Sequence, residues 1–218
     1  FEFLDQVLDG DIERVNLLAE WFGLCLTPET KYQTMTILVG PRRSGKGTVL
    51  RILRRVVGEH ACCDLRLGTL GELFGLWGLL GKRVAIIPDA HLSHGAEALK
   101  ALEVIKSITG EDALEVHRKM LPSVFVKLQT RIVMACNELP RFGDYAGTLG
   151  PRAAIVPFTN CYEGREDRNL EERLRAELPG IFNWALWGLG RLRKNGKFTQ
   201  PAASEETRRE FDRLSSPV

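Results

Sequence analysis

Apolar residues recur every three or four positions through FLDQVLDGDIERVNLLAEWFGLCL, so helices are predicted over residues 1–26, on either side of a turn at Gly10. The period then shortens. TMTILVG is a brief buried strand from Thr34 to Val39, and Val49, Ile52, Leu53, Val56 and Val57 mark one face of a helix that Gly58 ends. TLGELFGLWGLL (69–80) reads as a helix, RVAIIPD (83–89) as a strand and AEALKALEVIKSI (96–108) as a helix. ALEVHRK and SVFVKLQ alternate as two strands folded over MLP, with Pro122 at the turn. RIVMAC is a strand running into Asn137, AAIVPF (153–158) is another, and from Glu166 onward the pattern is helical.

Strands thus alternate with helices in the middle of the chain, with helices at both ends. That order predicts an α/β fold around a parallel sheet. It divides the sequence into an N-terminal helical segment (1–30), a core (31–165) and a C-terminal helical segment (166–218).

With 218 residues, 44% of them hydrophobic and 27% charged, the chain can bury one full core, which excludes a disordered tail. No apolar run reaches the roughly 18 residues of a membrane-spanning helix, and no signal peptide is visible. The start at Phe1 rather than Met is read as a piece of a longer protein. Cys25, Cys62, Cys63, Cys136 and Cys161 form no C-x-x-C pair, which fits a reducing cytoplasm. His60 beside Cys62 and Cys63 lacks a fourth ligand at metal spacing. The net charge of +2 calls for no nucleic-acid partner, but its distribution is uneven. Seven acids and one base, Arg14, fall in the first thirty residues; bases gather in PRRSGKGTVLRILRR, in HRK at 117–119 and in GRLRKNGK.

The chemistry centres on ILVGPRRSGKGTVLRIL, residues 37–53. A phosphate-binding loop reads G-x-x-x-x-G-K-[ST] between a strand and a helix. Gly40, Gly45 and Lys46 are in register, with Pro41, Arg43 and Ser44 in the loop between, but Gly47 takes the hydroxyl position and Thr48 comes one place late. The glycines let the backbone approach phosphates, the helix N-terminus offers unpaired N–H groups, and Lys46 is spaced to reach the β- and γ-phosphates. For the Mg²⁺ contact, either water fills the missing place or Thr48 reaches around. One residue on a helix turns a side chain by roughly 100°, which favours water.

RVAIIPDAHL ends an apolar strand in Asp89, the arrangement that holds Mg²⁺ through water in nucleotide hydrolases. Asn137 at the tip of a third strand either orients attacking water or simply forms a turn before ELP.

Taken in order, GPRRSGKGT, GKRVAIIPDAHLS, IKSITGEDALEVHRK, RIVMACNELPRFGD and GPRAAIVPFT resemble a superfamily 3 helicase, nearest to the helicase part of phage, plasmid and poxvirus primase-helicases. The resemblance covers nearly the whole chain. It implies an AAA+ type P-loop core that hydrolyses ATP with Mg²⁺, assembles as a homo-oligomeric ring, usually a hexamer, and translocates on single-stranded DNA. It implies a cytoplasmic setting in a bacterial or phage-infected cell, often with a primase region upstream.

In that pattern Lys46 matches the Walker A lysine, Asp89 the Walker B acid and Asn137 the sensor asparagine. Arg152 matches the arginine finger given to a neighbour's ATP. The hairpin ALEVHRKMLPSVFVK matches the motif that projects into the ring channel, with Arg118 and Lys119 as DNA contacts and His117 and Lys127 as weaker ones. Gly47 departs from the pattern, and the lone acid at Asp89 leaves the catalytic base unassigned. Glu111 and Asp112 are either further acids or turn residues. Two other functions fit parts of the sequence: an ATP-gated DNA-binding or loading module that does not unwind, and a nucleoside monophosphate kinase, which shares G-x-x-x-x-G-K-G-T.

Overall fold

The computed structural model describes residues 2–90, 96–140, 142 and 148–215. Residues 91–93, 141 and 143–144 of the resembling motifs lie outside them.

Helices α1 (Glu2–Val7) and α2 (Ile12–Cys25) flank a turn at Gly10, whose positive φ of 67° suits a residue without a side chain. The Asp11 carboxylate caps α2 by accepting from the backbone N–H groups of Glu13 and Arg14. Strand β1 (Met35–Val39) leads through the glycine loop into α3 (Lys46–Val57). An edge strand β2 (Cys62–Asp64) and β3 (Val84–Ile87) follow, then α4 (Ala96–Thr109). Strands β4 (Ala113–Arg118) and β5 (Leu121–Lys127) form a separate antiparallel hairpin. Strands β6 (Arg131–Cys136) and β7 (Ala153–Pro157) and helices α5 (Leu170–Ala176), α6 (Leu178–Asn195) and α7 (Ala202–Ser215) complete the chain.

The five main strands are all parallel, in the order β2-β3-β6-β1-β7. Both faces of the sheet are covered, as a parallel sheet requires. Leu38, Ile86, Val133 and Val156 belong to one apolar cluster with residues of α2, α3 and α6. The alternate residues Ile37, Ala85, Met134 and Ile155 belong to the other, with Ile105 of α4 and Phe211 of α7. The expected α/β architecture is the one observed.

Two readings of the sequence need correction, and one strand went unread. Residues 69–80 form no helix; short 3₁₀ turns at Leu67–Gly71 and Trp77–Leu79 stand there instead. Gly71, Gly75 and Gly78 recur through that stretch, and glycine disfavours helix by about 1 kcal/mol relative to alanine. The hairpin turn is Lys119–Met120, with Arg118 opposite Leu121, so Pro122 lies within β5. A two-stranded sheet has only edges, and there a missing N–H is tolerated. Strand β2 carried too short a run to be read.

Helices α2 and α6 pack closely across the N- and C-terminal segments. A Cβ on Gly23 would fall 2.2 Å from the Ala185 carbonyl oxygen, and one on Gly188 would fall 2.2 Å from Ala19. Phe22 and Trp184 meet edge to face beside them, with centroids 5.4 Å apart. Two of the N-terminal acids pair with C-terminal bases across this seam. Buried Glu20 accepts from Arg191 Nε and from Thr199, and Glu29 accepts from Arg193. Two of the four bases in GRLRKNGK are therefore held in internal ion pairs.

Candidate active site

The glycine loop sits at the C-terminal ends of the parallel strands, where open α/β sheets bind ligands. Its fixed points are backbone contacts. The Gly40 N–H donates to the Cys136 carbonyl at 3.2 Å, and the Phe158 N–H donates to the Val39 carbonyl at 2.7 Å. Gly40 has φ 150°, and a Cβ there would fall 2.0 Å from the Phe158 carbonyl oxygen. Only glycine fits. Gly45, the residue before α3, has φ 98°.

Lys46 is folded into its own loop. Its ammonium donates to the carbonyls of Gly40 and Pro41, both at 2.7 Å, and to Ser44 Oγ at 3.2 Å. Burial pushes its pKa down, while the nearby Cys136 and Asp89 oppose that shift. Three oxygens of its own loop thus satisfy the cation.

A cleft of about 560 Å³ opens over the loop. Arg43, Ser44, Gly45, Lys46, Gly47 and Thr48 line it, together with Asn137 from the tip of β6. Asp89 follows β3 by two residues, and the next residue, Ala90, donates its N–H to the Ala135 carbonyl at 2.8 Å. That bond holds the Asp89 turn against the end of β6, near Lys46. Asp89 and Asn137 are exposed, and neither side chain makes a hydrogen bond or ion pair among the described residues. A free carboxylate beside a lysine and a phosphate loop fits a hydrated Mg²⁺. Thr48 Oγ1 instead accepts from Arg51 at 3.1 Å.

The cleft also gathers side chains that sequence reasoning passed over. Arg42, Arg51, Arg165 and Arg173 line it, as do Phe3, Gln6 and Tyr162. Several cations of the cleft are held by acids: Arg43 by Glu166 at 3.5 Å, Arg51 by Glu171 at 3.0 Å, and Arg173 by Asp167. Helical spacing from Thr48 puts Arg51 one turn on and could have found it. Nothing local marks Arg173 or Tyr162, which reach the loop only through the fold. A neighbouring hollow of about 290 Å³, lined by Phe3, Leu4, Phe22, Ile52 and Trp184 with Glu177, is mostly apolar and carries no cationic side chain.

The remaining candidates lie at the opposite end of the sheet. Arg152 directly precedes β7, and in the register Met35 pairs with Ala153 while Val39 pairs with Pro157. Arg152 is therefore a full strand length from its own loop. Its Nη1 donates to the Lys106 carbonyl at 3.1 Å and to Thr109 Oγ1 at 3.3 Å, tying it to the end of α4. Glu111 and Asp112 lie at that same end, away from the cleft, with the Thr30 hydroxyl donating to Glu111.

The β4–β5 hairpin also springs from this end. Arg118 Nε and Nη2 donate to the Pro122 carbonyl at 2.9 and 2.7 Å, bracing the turn. Lys119 is exposed and lies 5.8 Å from the centroid of the Phe74 ring. His117 stands beside a register irregularity, its Nε2 3.9 Å from Glu115. Lys127 is exposed at the foot of β5, and Met120 at the tip is fully exposed.

The chain matches known proteins by sequence pattern and by fold. The pattern of the DUF5906 family, described as a family of unknown function, matches residues 38–152, from the end of β1 through Arg152. The fold is similar to an apo structure of the NrS-1 C-terminal region, with TM-score 0.75 at 16% identity, covering 100% of this chain and 51% of that one. An A-form apo structure of the same region gives 0.72 at 15% identity, covering 99% and 50%. This chain thus spans about half the length of the structures it matches. No helix among the described residues is long and apolar enough to cross a membrane.

Proposed function

The chain belongs to the DUF5906 family, and we propose that it is the ATP-hydrolysing motor module of a superfamily 3 type replication helicase. In this reading copies assemble head to tail as a ring, of six in the family it resembles, around single-stranded DNA. The observation that carries it is the separation of charges along the sheet. The loop, Lys46, Asp89 and Asn137 stand at one end; Arg152 and the basic hairpin stand at the other.

With Arg152 as the finger, that separation calls for a neighbour. The four residue steps from Met35 to Val39 span roughly 13 Å, at about 3.3 Å per residue, so Arg152 is too far to serve a phosphate in its own cleft. A heterologous contact that brings one copy's Arg152 end over the next copy's cleft closes as a ring when the rotation permits.

Within the cleft, phosphate oxygens would replace the Gly40 and Pro41 carbonyls on Lys46 and accept from the loop N–H groups. Asp89 would hold hydrated Mg²⁺, which would supply positive charge against the phosphates. Asn137 would orient the attacking water, and the neighbour's Arg152 would stabilise the charge that develops, at about 10³–10⁵-fold in rate. Arg118 and Lys119 would contact DNA phosphates without regard to sequence, as a translocating motor requires. Glu111 and Asp112, at the far end of the sheet, are not the base in this chain's own cleft.

Displacement of a labelled strand from a partial duplex tests the reading. Wild-type protein with ATP is expected to release the strand, and Lys46→Ala is not. ATP-dependent DNA binding with no release would favour a loading module instead.

A further inference from the structure

We infer that the nucleoside end of the cleft lies between α1 and the segment around Tyr162, and that Gln6 there selects adenine over guanine. The inference rests on the phosphate-loop reading of the same cleft.

The residues lining the cleft are of two chemical kinds, the cationic loop and an aromatic and amide set beside it. The phosphates belong with Lys46 and the first turn of α3, where the N–H groups and cations are. The lining that remains includes Phe3, Gln6 and Val7 of α1, with Tyr162 and Leu170. This side abuts the loop directly: a Cβ on Gly45 would fall 2.9 Å from Val7 Cγ1 and 3.4 Å from the Phe3 ring. A heterocycle attached to a loop-bound phosphate would therefore meet an aromatic wall.

Tyr162 is fixed between the two parts. Its N–H donates to the Arg43 carbonyl at 3.0 Å, inside the loop, and its hydroxyl donates to the Gln6 carbonyl at 2.6 Å. The Arg165 guanidinium lies 5.8 Å from the Tyr162 ring centroid. Aromatic and guanidinium planes of this kind stack on nucleobases.

Stacking alone does not choose a base, but Gln6 can. Its backbone carbonyl already receives the Tyr162 hydroxyl and Asn160 Nδ2, the latter at 3.2 Å, which holds this turn of α1 in place. Its side-chain amide makes no hydrogen bond among the described residues. That amide carries an acceptor and a donor side by side. Adenine presents the complement, an amino donor next to the N7 acceptor, whereas guanine presents two acceptors on the same edge.

Displacement of a fluorescent ATP analogue by ATP, GTP and inorganic tripolyphosphate tests this in wild type and Gln6→Ala. Gln6 is exposed on α1, and alanine keeps the helix. Wild type is expected to prefer ATP over GTP by about tenfold, the scale of one two-point base contact. Gln6→Ala should bring the two nucleotides within about twofold while tripolyphosphate binds as before. Equal wild-type affinities, or an unchanged preference in Gln6→Ala, would overturn the base assignment and leave the phosphate site standing. Failure of wild type to bind either nucleotide or tripolyphosphate would instead remove the phosphate site, and this inference with it.

Discussion

Two variants that are each inactive should recover ATPase activity when mixed. Arg152→Ala keeps an intact loop and lacks the proposed finger; Lys46→Ala keeps the finger and lacks the loop lysine. Because Arg152 stands a strand length from its own cleft, the two lesions fall on different sites of the assembled ring. Loss of a guanidinium on the transferring phosphoryl group should cost about 10³-fold or more in hydrolysis rate, roughly 4 kcal/mol of transition-state stabilisation. Arg152 also donates to Lys106 and Thr109, so its removal should lower stability by about 1–2 kcal/mol and Tm by a few degrees. The variant should therefore remain folded and bind nucleotide normally.

In an equimolar mixture, a productive boundary needs an intact loop from one variant facing an intact Arg152 from the other. Random head-to-tail assembly makes about a quarter of boundaries productive, so activity should rise from near zero toward a quarter of wild type. Steady-state phosphate release over a series of mixing ratios, with a bell-shaped optimum near equal amounts, is the expected result. Arg152→Ala hydrolysing within a few-fold of wild type, or silent variants that stay silent in assembled mixtures, would refute a finger shared between copies.

Further expectations follow from single contacts. Lys46→Ala should weaken ATP binding at least tenfold, since charged hydrogen bonds contribute about 1.5–3 kcal/mol; calorimetry showing unchanged affinity would place the nucleotide elsewhere. Gly47→Ser should lower the Mg²⁺ concentration needed for half-maximal hydrolysis, because a Cβ there meets only the Arg51 guanidinium, at 3.4 Å; an unchanged Mg²⁺ titration would mean that water already serves as well. Lys119→Ala should weaken single-stranded DNA binding and flatten its log–log salt slope by about 0.7, with basal hydrolysis spared; an unaltered slope would remove Lys119 from the DNA path. Gly188→Ala should force α2 and α6 apart and lower unfolding free energy by about 1–3 kcal/mol in a urea titration; wild-type stability would show that the seam is looser than the structure has it.

Four strands of the sheet and the loop were legible because their signals are local. An apolar strand, G-x-x-x-x-G-K and an amphipathic helix follow one another without interruption, and each element dictates its neighbour. The alternation of Ile37 and Leu38 between two cores required only a strand of period two covered on both faces. What escaped was set by contacts distant in sequence. Tyr162 reaches Gln6 across 156 residues, and Arg191 reaches Glu20 across 171, so neither position carries a mark of its partner. Gly188 resembles any helical glycine until Ala19 is brought against it. The misread helix at 69–80 shows the opposite weakness, an apolar period that repeated glycines overrule. Arg152 lay between: its place in the order of motifs named it, but only the strand register puts it at the end of the sheet away from its own loop.

The most direct test of the central claim is ATP hydrolysis per mole of protein, followed across a dilution series with and without single-stranded DNA. The account predicts specific activity that climbs with protein concentration as copies meet, and a further increase when DNA is added. Activity that is flat with concentration and indifferent to DNA would contradict a ring motor with shared sites and point to a self-contained ATPase.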